Sequence, residues 1–316
     1  MDMCFLKFLV LERLGVHNMR IATFNCENLF ARYKFKKNID PVKEDGFTID
    51  DMAFNLMDED EKRITGEAIK EVNADVIALQ EIESLPILDR FTTEYLDEMG
   101  YKYGILIDSH DPRQIDVAIL SKYPVNSIKT HKHELSTLKR VKWLFSRDCL
   151  ETEIDVDGKT LHLYTNHLKS MMEGREKTKP RRVEQSKRVA EIIYKKWKEN
   201  GYKGNFVVLG DHNDYPEGNT SLTALLEHPG LENVVERLPA EDQWTHFYAP
   251  NKEYRQLDYL FLSKSLAELN TNKPEMMRKG IYYGAEKYSG PRFDKIGKDK
   301  PKASDHVPLY MDINLE

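Results

Sequence analysis

Short apolar runs rich in β-branched residues recur along the chain, each ending on polar residues, and helical spacings fill several gaps between them. Residues 19–24 read as a first strand. Ile64, Ala68, Ile69 and Val72 then repeat at helical spacing and lead into the buried-type run Val76-Ile77-Ala78-Leu79. Residues 86–99 predict another helix, with Pro86 in its first turn and Gly100 just past its end. Strand signals follow at 103–107 and 115–120. The alternating stretch 150–156 turns at Asp157-Gly158 into 160–165, which predicts an antiparallel hairpin aimed at His167. Val183, Ala190, Ile193, Tyr194 and Trp197 share one face of a helix over 183–197, and Phe206-Val207-Val208-Leu209 is a short buried strand. Strands at 257–262 and 309–313 close the series. Residues 31–62 read as a long surface loop, and 270–302 as loop-rich.

This order predicts an α/β protein of mixed sheets with helices outside. With no repeat, linker or break in composition, residues 19–316 read as a single domain preceded by an N-terminal extension, 1–18. The chain has 316 residues, 40% hydrophobic and 32% charged, and no apolar run approaches the roughly 20 residues of a membrane span, so no transmembrane segment is expected. Residues 5–11 imitate a targeting signal, but Lys7 interrupts them and no small-residue cleavage site follows. Cys4, Cys26 and Cys149 lack metal-ligand spacing and suit a reducing compartment. A cytoplasmic location is therefore expected, ahead of secretion. Oligomeric state is not readable.

The net charge of −6 argues against a broad nucleic-acid footprint. Residues 169–188 are the exception, with eight basic residues against three acids. Two readings stay open for them: a solvated loop and helix face, or a rim that guides phosphate.

The chemistry lies where strands end. Glu81 follows a buried-type strand and is the principal candidate for a metal ligand. Asn25 ends the first strand, where its side-chain oxygen can complete a Mg²⁺ shell or hold a ligand carboxylate. In Gly210-Asp211-His212-Asn213-Asp214, Asp211 and Asn213 are two apart and in an extended segment would share a face, able to meet one water or one phosphate oxygen, while His212 points the other way. His167 and His306 suggest a pair flanking a phosphate, and Asp258 can fix the tautomer of one of them. Arg113 precedes a strand and can fork onto a phosphate. His110, His131, His133 and His246 read as ordinary polar positions.

The ordered blocks Asn25-Cys26-Glu27-Asn28-Leu29-Phe30, Leu79-Gln80-Glu81, Gly210-Asp211-His212-Asn213-Asp214 and Ser304-Asp305-His306 resemble the endonuclease/exonuclease/phosphatase superfamily, of deoxyribonuclease I-like fold, in a bacterial-type form. The resemblance implies a four-layer α/β sandwich, two mixed sheets packed face to face with helices outside. It implies Mg²⁺ or Mn²⁺ at Glu81, with Asn25 near the metal and Asp305 in the terminal Ser-Asp-His. It further implies Asp211 and Asn213 as the pair that positions water and phosphate, His167 and His306 as the two histidines, Asp258 as the orienter of His306, and Arg113 before the strand Asp116-Val117-Ala118-Ile119-Leu120-Ser121. Tyr254-Arg255-Gln256-Leu257-Asp258-Tyr259 replaces the segment typical of abasic-site endonucleases, and the Trp-Cys-Asp-Arg segment of inositol-polyphosphate phosphatases is missing. The expected function is metal-dependent hydrolysis of a phosphate ester, first as a nuclease on DNA or RNA. A phosphatase or phosphodiesterase acting on a small or lipid-borne phosphate comes second, and a non-catalytic scaffold third.

Overall fold

The computed structural model describes residues 18–30 and 59–316. The first sheet runs in the order β13-β14-β1-β2-β4-β3, built from β1 (Asn18–Leu29), β2 (Val76–Ile82), β3 (Tyr103–Leu106), β4 (Asp116–Ser121), β13 (Glu275–Met276) and β14 (Leu309–Asn314). The second runs β5-β6-β7-β8-β12-β9, from β5 (Val125–Lys129), β6 (Cys149–Val156), β7 (Lys159–His167), β8 (Phe206–Asp211), β9 (Leu231–Asn233) and β12 (Asp258–Ser263). A two-stranded ribbon joins β10 (His246–Tyr248) to β11 (Glu253–Arg255). At the centre of each sheet is a parallel pair, β1 with β2 and β7 with β8, so two strand ends in each sheet point the same way.

Side-chain alternation explains the layers. Ile21, Ala78, Leu163, Val207, Leu260 and Met311 meet in the core between the sheets. Their chain neighbours Ala22, Ile77 and Leu79 face outward and pack under α1 (Glu59–Val72) and α2 (Leu85–Tyr95). Tyr164, Phe206, Val208 and Phe261 cover the other outer face with α3 (Arg175–Trp197). Two short helices, α4 (Thr223–Leu226) and α5 (Lys264–Leu269), border the second sheet. The result is a four-layer sandwich with two mixed six-stranded sheets, as expected.

Several boundaries move. Residues 59–62, assigned to a surface loop, open α1, while 31–58 and 1–17 lie outside the described residues. Asn18 pairs with Asn314 as the first residue of β1. Helix α3 starts eight residues earlier than its apolar spacing indicates, because its buried face begins with Thr178, Arg182, Gln185 and Ser186 before Val189 and Ile193. Polar residues do the packing there, and Tyr194 faces solvent. The hairpin turn at Asp157-Gly158 has both residues at positive φ, as its sequence predicts.

Candidate active site

Each inward-facing row changes from apolar to polar at the same end of the sandwich. Continuing the alternation from Ile21 reaches Thr23 and Asn25, from Leu163 reaches Thr165 and His167, and from Leu209 reaches Asp211. Antiparallel β12 begins with Asp258, which pairs with Asp211. Four strands thus aim polar side chains between the two sheets.

Asp211 is the hub. Its Oδ2 accepts hydrogen bonds from Asn25 Nδ2 at 3.1 Å and Asn213 Nδ2 at 2.9 Å, and lies 3.3 Å from His167 Nε2 and 4.0 Å from His306 Nε2. Its Oδ1 accepts the Asn213 backbone N–H at 2.8 Å. Burial opposes ionisation, but the hydrogen bond from His167 and the charge of His306 outweigh it and hold this carboxyl below the usual range. Asp211 and Asn213 do meet, though not through an extended segment: β8 ends at Asp211, and Asn213 turns back at φ 51°. His212 points away, with Nδ1 3.0 Å from the Gly210 carbonyl oxygen and its ring against Tyr259 and Phe261.

Glu81 reaches the cleft through a backbone irregularity. Its φ of 65° falls where the β2–β4 register shifts, turning a side chain that simple alternation would send outward. Among the described residues its carboxylate approaches His167 Nε2 at 3.9 Å and accepts no hydrogen bond. A largely enclosed carboxylate without donors fits a hard divalent cation. Asn25 is more committed than expected: its Oδ1 accepts the Glu27 backbone N–H at 3.0 Å.

His306 Nδ1 lies 2.7 Å from Asp258 Oδ2, so Nε2 is the nitrogen that faces Asp211 and Asp305, at 4.0 Å from each. Burial disfavours the imidazolium, yet Asp258, then Asp211 and Asp305, raise its pKa well above the ordinary histidine value. The Asp258 N–H donates to Thr245 Oγ1 at 3.0 Å. Ser304 Oγ donates to the Asn25 carbonyl oxygen at 2.7 Å and ties the His306 segment to β1.

Sequence reasoning passed over two groups here, His246 and Glu27. His246, read as an ordinary polar position, places Nε2 3.6 Å from Asp305 Oδ2 and its ring 4.6 Å from that of His306. Together His246, Asp305 and His306 form a cluster able to hold a metal ion. Glu27 accepts the Asp305 backbone N–H and pairs with Lys302, both at 2.8 Å, and burial with the nearby Asp305 pushes it up to about 7. A signal for Glu27 existed, because it stands inside the block Asn25-Cys26-Glu27-Asn28-Leu29-Phe30 that carries the family resemblance; His246 sits on a three-residue strand with no periodicity to read.

Arg113 stays outside the cluster, exposed and held by Asp111 at 3.4 Å. The buried Arg147 takes the inner position, donating to Asp111 Oδ2 at 2.9 Å and to the Leu168 carbonyl oxygen at 2.7 Å. The basic stretch 169–188 is mostly committed to structure. Arg175 and Arg182 face Asp214, Arg181 donates to the carbonyl oxygens of Trp143 and Leu144, and Arg188 pairs with Glu134.

A sequence profile of the Endonuclease/Exonuclease/phosphatase family matches residues 20–314. No sequence among the curated proteins matches the chain. Solved structures of similar shape include truncated Caenorhabditis elegans TDP2, at 16% identity and TM-score 0.59 over 95% of this chain and 98% of that one. The human Nocturnin catalytic domain with bound sulfate shows 14% identity and TM-score 0.59 over 96% and 99%. D. rerio TDP2 complexed with single strand DNA product shows 16% and 0.58 over 94% and 99%.

Proposed function

The chain belongs to the endonuclease/exonuclease/phosphatase family, and on that premise we propose that it is a metal-dependent phosphodiesterase, a nuclease acting on DNA or RNA, formed by one catalytic domain over residues 19–316. The observation that carries this reading is the convergence of Asn25, Glu81, His167, Asp211 and His306 at one end of the sandwich.

In this reading Glu81, with Asn25 and Asp305 beside it, would hold Mg²⁺ or Mn²⁺, which when bound would supply charge stabilisation for phosphoryl oxygen. Asp211, kept ionised by its donors, is a weak base and a strong hydrogen-bond acceptor, so it orients the attacking water. His167 would meet a non-bridging oxygen, and Asn213 would join it by turning one amide hydrogen away from Asp211 or the Leu168 carbonyl oxygen. His306, cationic and anchored by Asp258, presents Nε2–H toward the oxygen on which charge accumulates, or gives that proton to the leaving group. Arg113 is assigned an outer contact with substrate from the solvent side. The structure of D. rerio TDP2 with a single strand DNA product supports nucleic acid over a small phosphate ester. Cys26 and Cys149 are both free and buried, which supports a cytoplasmic setting, and no helix among the described residues is long and apolar enough to cross a membrane.

The test is hydrolysis of plasmid DNA, oligonucleotides, a phosphodiester dye and a phosphomonoester dye by the purified protein with Mg²⁺ or Mn²⁺, beside Glu81→Ala and Asp211→Ala. Cleavage of the diesters, with each variant slower by about 10²-fold or more, is the expected result. Preference for the monoester would favour the phosphatase alternative. Full activity in Asp211→Ala would remove the mechanism.

A further inference from the structure

Beyond the catalytic cluster lies a second concentration of chemistry. Residues 134–144 fold into a small hairpin, with Leu135 bridged to Trp143 and the Leu144 N–H donating to the Glu134 carbonyl oxygen at 2.8 Å. Helix α3 holds it rigidly. Glu184 accepts from Ser136 Oγ at 2.6 Å and from the Thr137 N–H at 2.6 Å, Gln185 donates to the Leu144 carbonyl oxygen at 3.0 Å, and Arg188 reaches Glu134 at 2.9 Å. Glu184, Gln185 and Arg188 of the helix therefore hold this hairpin, while the hairpin's own Lys139, Arg140 and Lys142 remain exposed.

On the hairpin sits an aromatic platform. The Trp143 indole stacks on His110 with centroids 4.3 Å apart and planes 10° from parallel, and His133 meets both rings edge-on at 5.5 and 5.9 Å. Lys142 Nζ lies 4.4 Å from the indole centroid, and a ring already stacked at 4.3 Å leaves it the opposite face. Leu135 beside Trp143 is 66% exposed. His110 Nε2 is enclosed and has no hydrogen-bond partner. Burial, helped by His133, Lys132 and Lys142, lowers the His110 pKa and favours an uncharged stacking ring.

The platform is wired to the active site. The His110 N–H donates to the Ser146 carbonyl oxygen at 2.9 Å, and Arg147 joins Asp111 to the Leu168 carbonyl oxygen. Asn213 Nδ2 donates to that same oxygen at 3.2 Å, so a single carbonyl links Arg147 to the amide that holds Asp211.

We propose that Trp143, His110 and His133 form a stacking site for an unpaired base of a single-stranded nucleic acid, with Lys139, Arg140 and Lys142 meeting its phosphates. The site rests on the nuclease reading for its purpose, not for its chemistry. Every base has a π-face, and base stacking exceeds the exposed cation–π contact of Lys142 that it displaces. Phosphates, in turn, recruit the freed ammonium. The arrangement favours single strands, because a paired base keeps its faces inside the duplex.

Binding is measured in a Glu81→Ala background, so turnover cannot interfere, using oligothymidylate and the same phosphate chain without bases. Trp197 and Trp244 are buried, which makes tryptophan quenching a report on Trp143. Oligothymidylate is expected to quench that emission. Trp143→Ala is expected to weaken its binding about tenfold, with Trp143→Phe between the two. The base-free chain should bind the parent protein as weakly as oligothymidylate binds Trp143→Ala. Hydrolysis of the phosphodiester dye, tested with Glu81 intact, should be unchanged by Trp143→Ala, which also certifies the fold. Equal binding of both chains, or undiminished binding by Trp143→Ala, overturns the platform. Inactivity of the parent enzyme toward every diester would instead overturn the nuclease reading and leave the binding result standing.

Discussion

A Cβ built on Gly210 would lie 2.0 Å from the Asn166 carbonyl oxygen, and φ at this residue is +128°, a region L side chains rarely adopt. The glycine lets β8 approach β7 closely, which sets the spacing between Asp211 and His167. Gly210→Ala is expected to cost about 2–4 kcal/mol in urea unfolding and to lower activity in whatever fraction still folds. Asp258 acts one step further from the chemistry, through His306. Removing its charge lowers the His306 pKa, because that carboxylate is the foremost group raising it. Since the imidazolium is the working form, Asp258→Asn should shift the alkaline limb of the kcat–pH profile to lower pH. A fall in kcat of about 10²-fold with little change in KM is expected alongside. An unmoved alkaline limb would show that His306 does not titrate in the reaction.

Helix α3 packs its first turns through polar groups. Arg182 is fully buried, with Nε 3.2 Å from Ser221 Oγ and 3.5 Å from Asp214 Oδ2, and its other nitrogens donate to Thr178 Oγ1 and to the carbonyl oxygens of Lys169 and Arg175. Arg182→Ala would keep Arg175 on Asp214 but leave a cavity and take the donor from Thr178, Ser221 and the Lys169 and Arg175 carbonyl oxygens, and is expected to destabilise by about 3 kcal/mol, seen as an earlier urea midpoint. That burial also explains why apolar spacing located the helix but missed its first eight residues: the packing signal there is written in Thr, Arg, Gln and Ser. Strand β6 gives a pH-dependent counterpart. Burial opposes ionisation of Glu151, but hydrogen bonds from His131 and Lys196, with charge from Lys196 and Lys129, lower its pKa to about 2. A depressed carboxyl stabilises the fold above its ordinary value near 4.5 and ceases to do so as pH falls toward 2. Unfolding free energy should therefore decline over that window in the parent protein and decline less steeply in Glu151→Gln.

Most of the site could be read from alternation alone, because one hand-over from apolar to polar residues, repeated on β1, β7, β8 and β12, brings the inward rows to a common end. What could not be read is backbone that departs from alternation. Glu81 arrives through a left-handed residue at a register shift, and Asn213 through a turn rather than an extended segment. His246 depends on a bridge to His306, a contact across 60 residues of chain that no local spacing announces. The basic stretch at 169–188 stays open between a solvated face and a phosphate rim until its carbonyl and carboxylate partners in residues 134–144 and 214–219 are in view. Convergence of this kind has a thermodynamic consequence. Glu81 accepts no hydrogen bond among the described residues, so the folded state holds an enclosed carboxylate that a divalent cation would satisfy and that the unfolded chain does not organise. Mg²⁺ or Mn²⁺ at about 100 times its dissociation constant should then add about 2.7 kcal/mol. In a chain of this size that is a rise in Tm of about 4 °C, reversed by chelator. Glu81→Ala should melt at the same temperature with and without the ion. A metal-induced rise of equal size in that variant would place the cation at the His246, Asp305 and His306 cluster instead, since those groups survive the substitution.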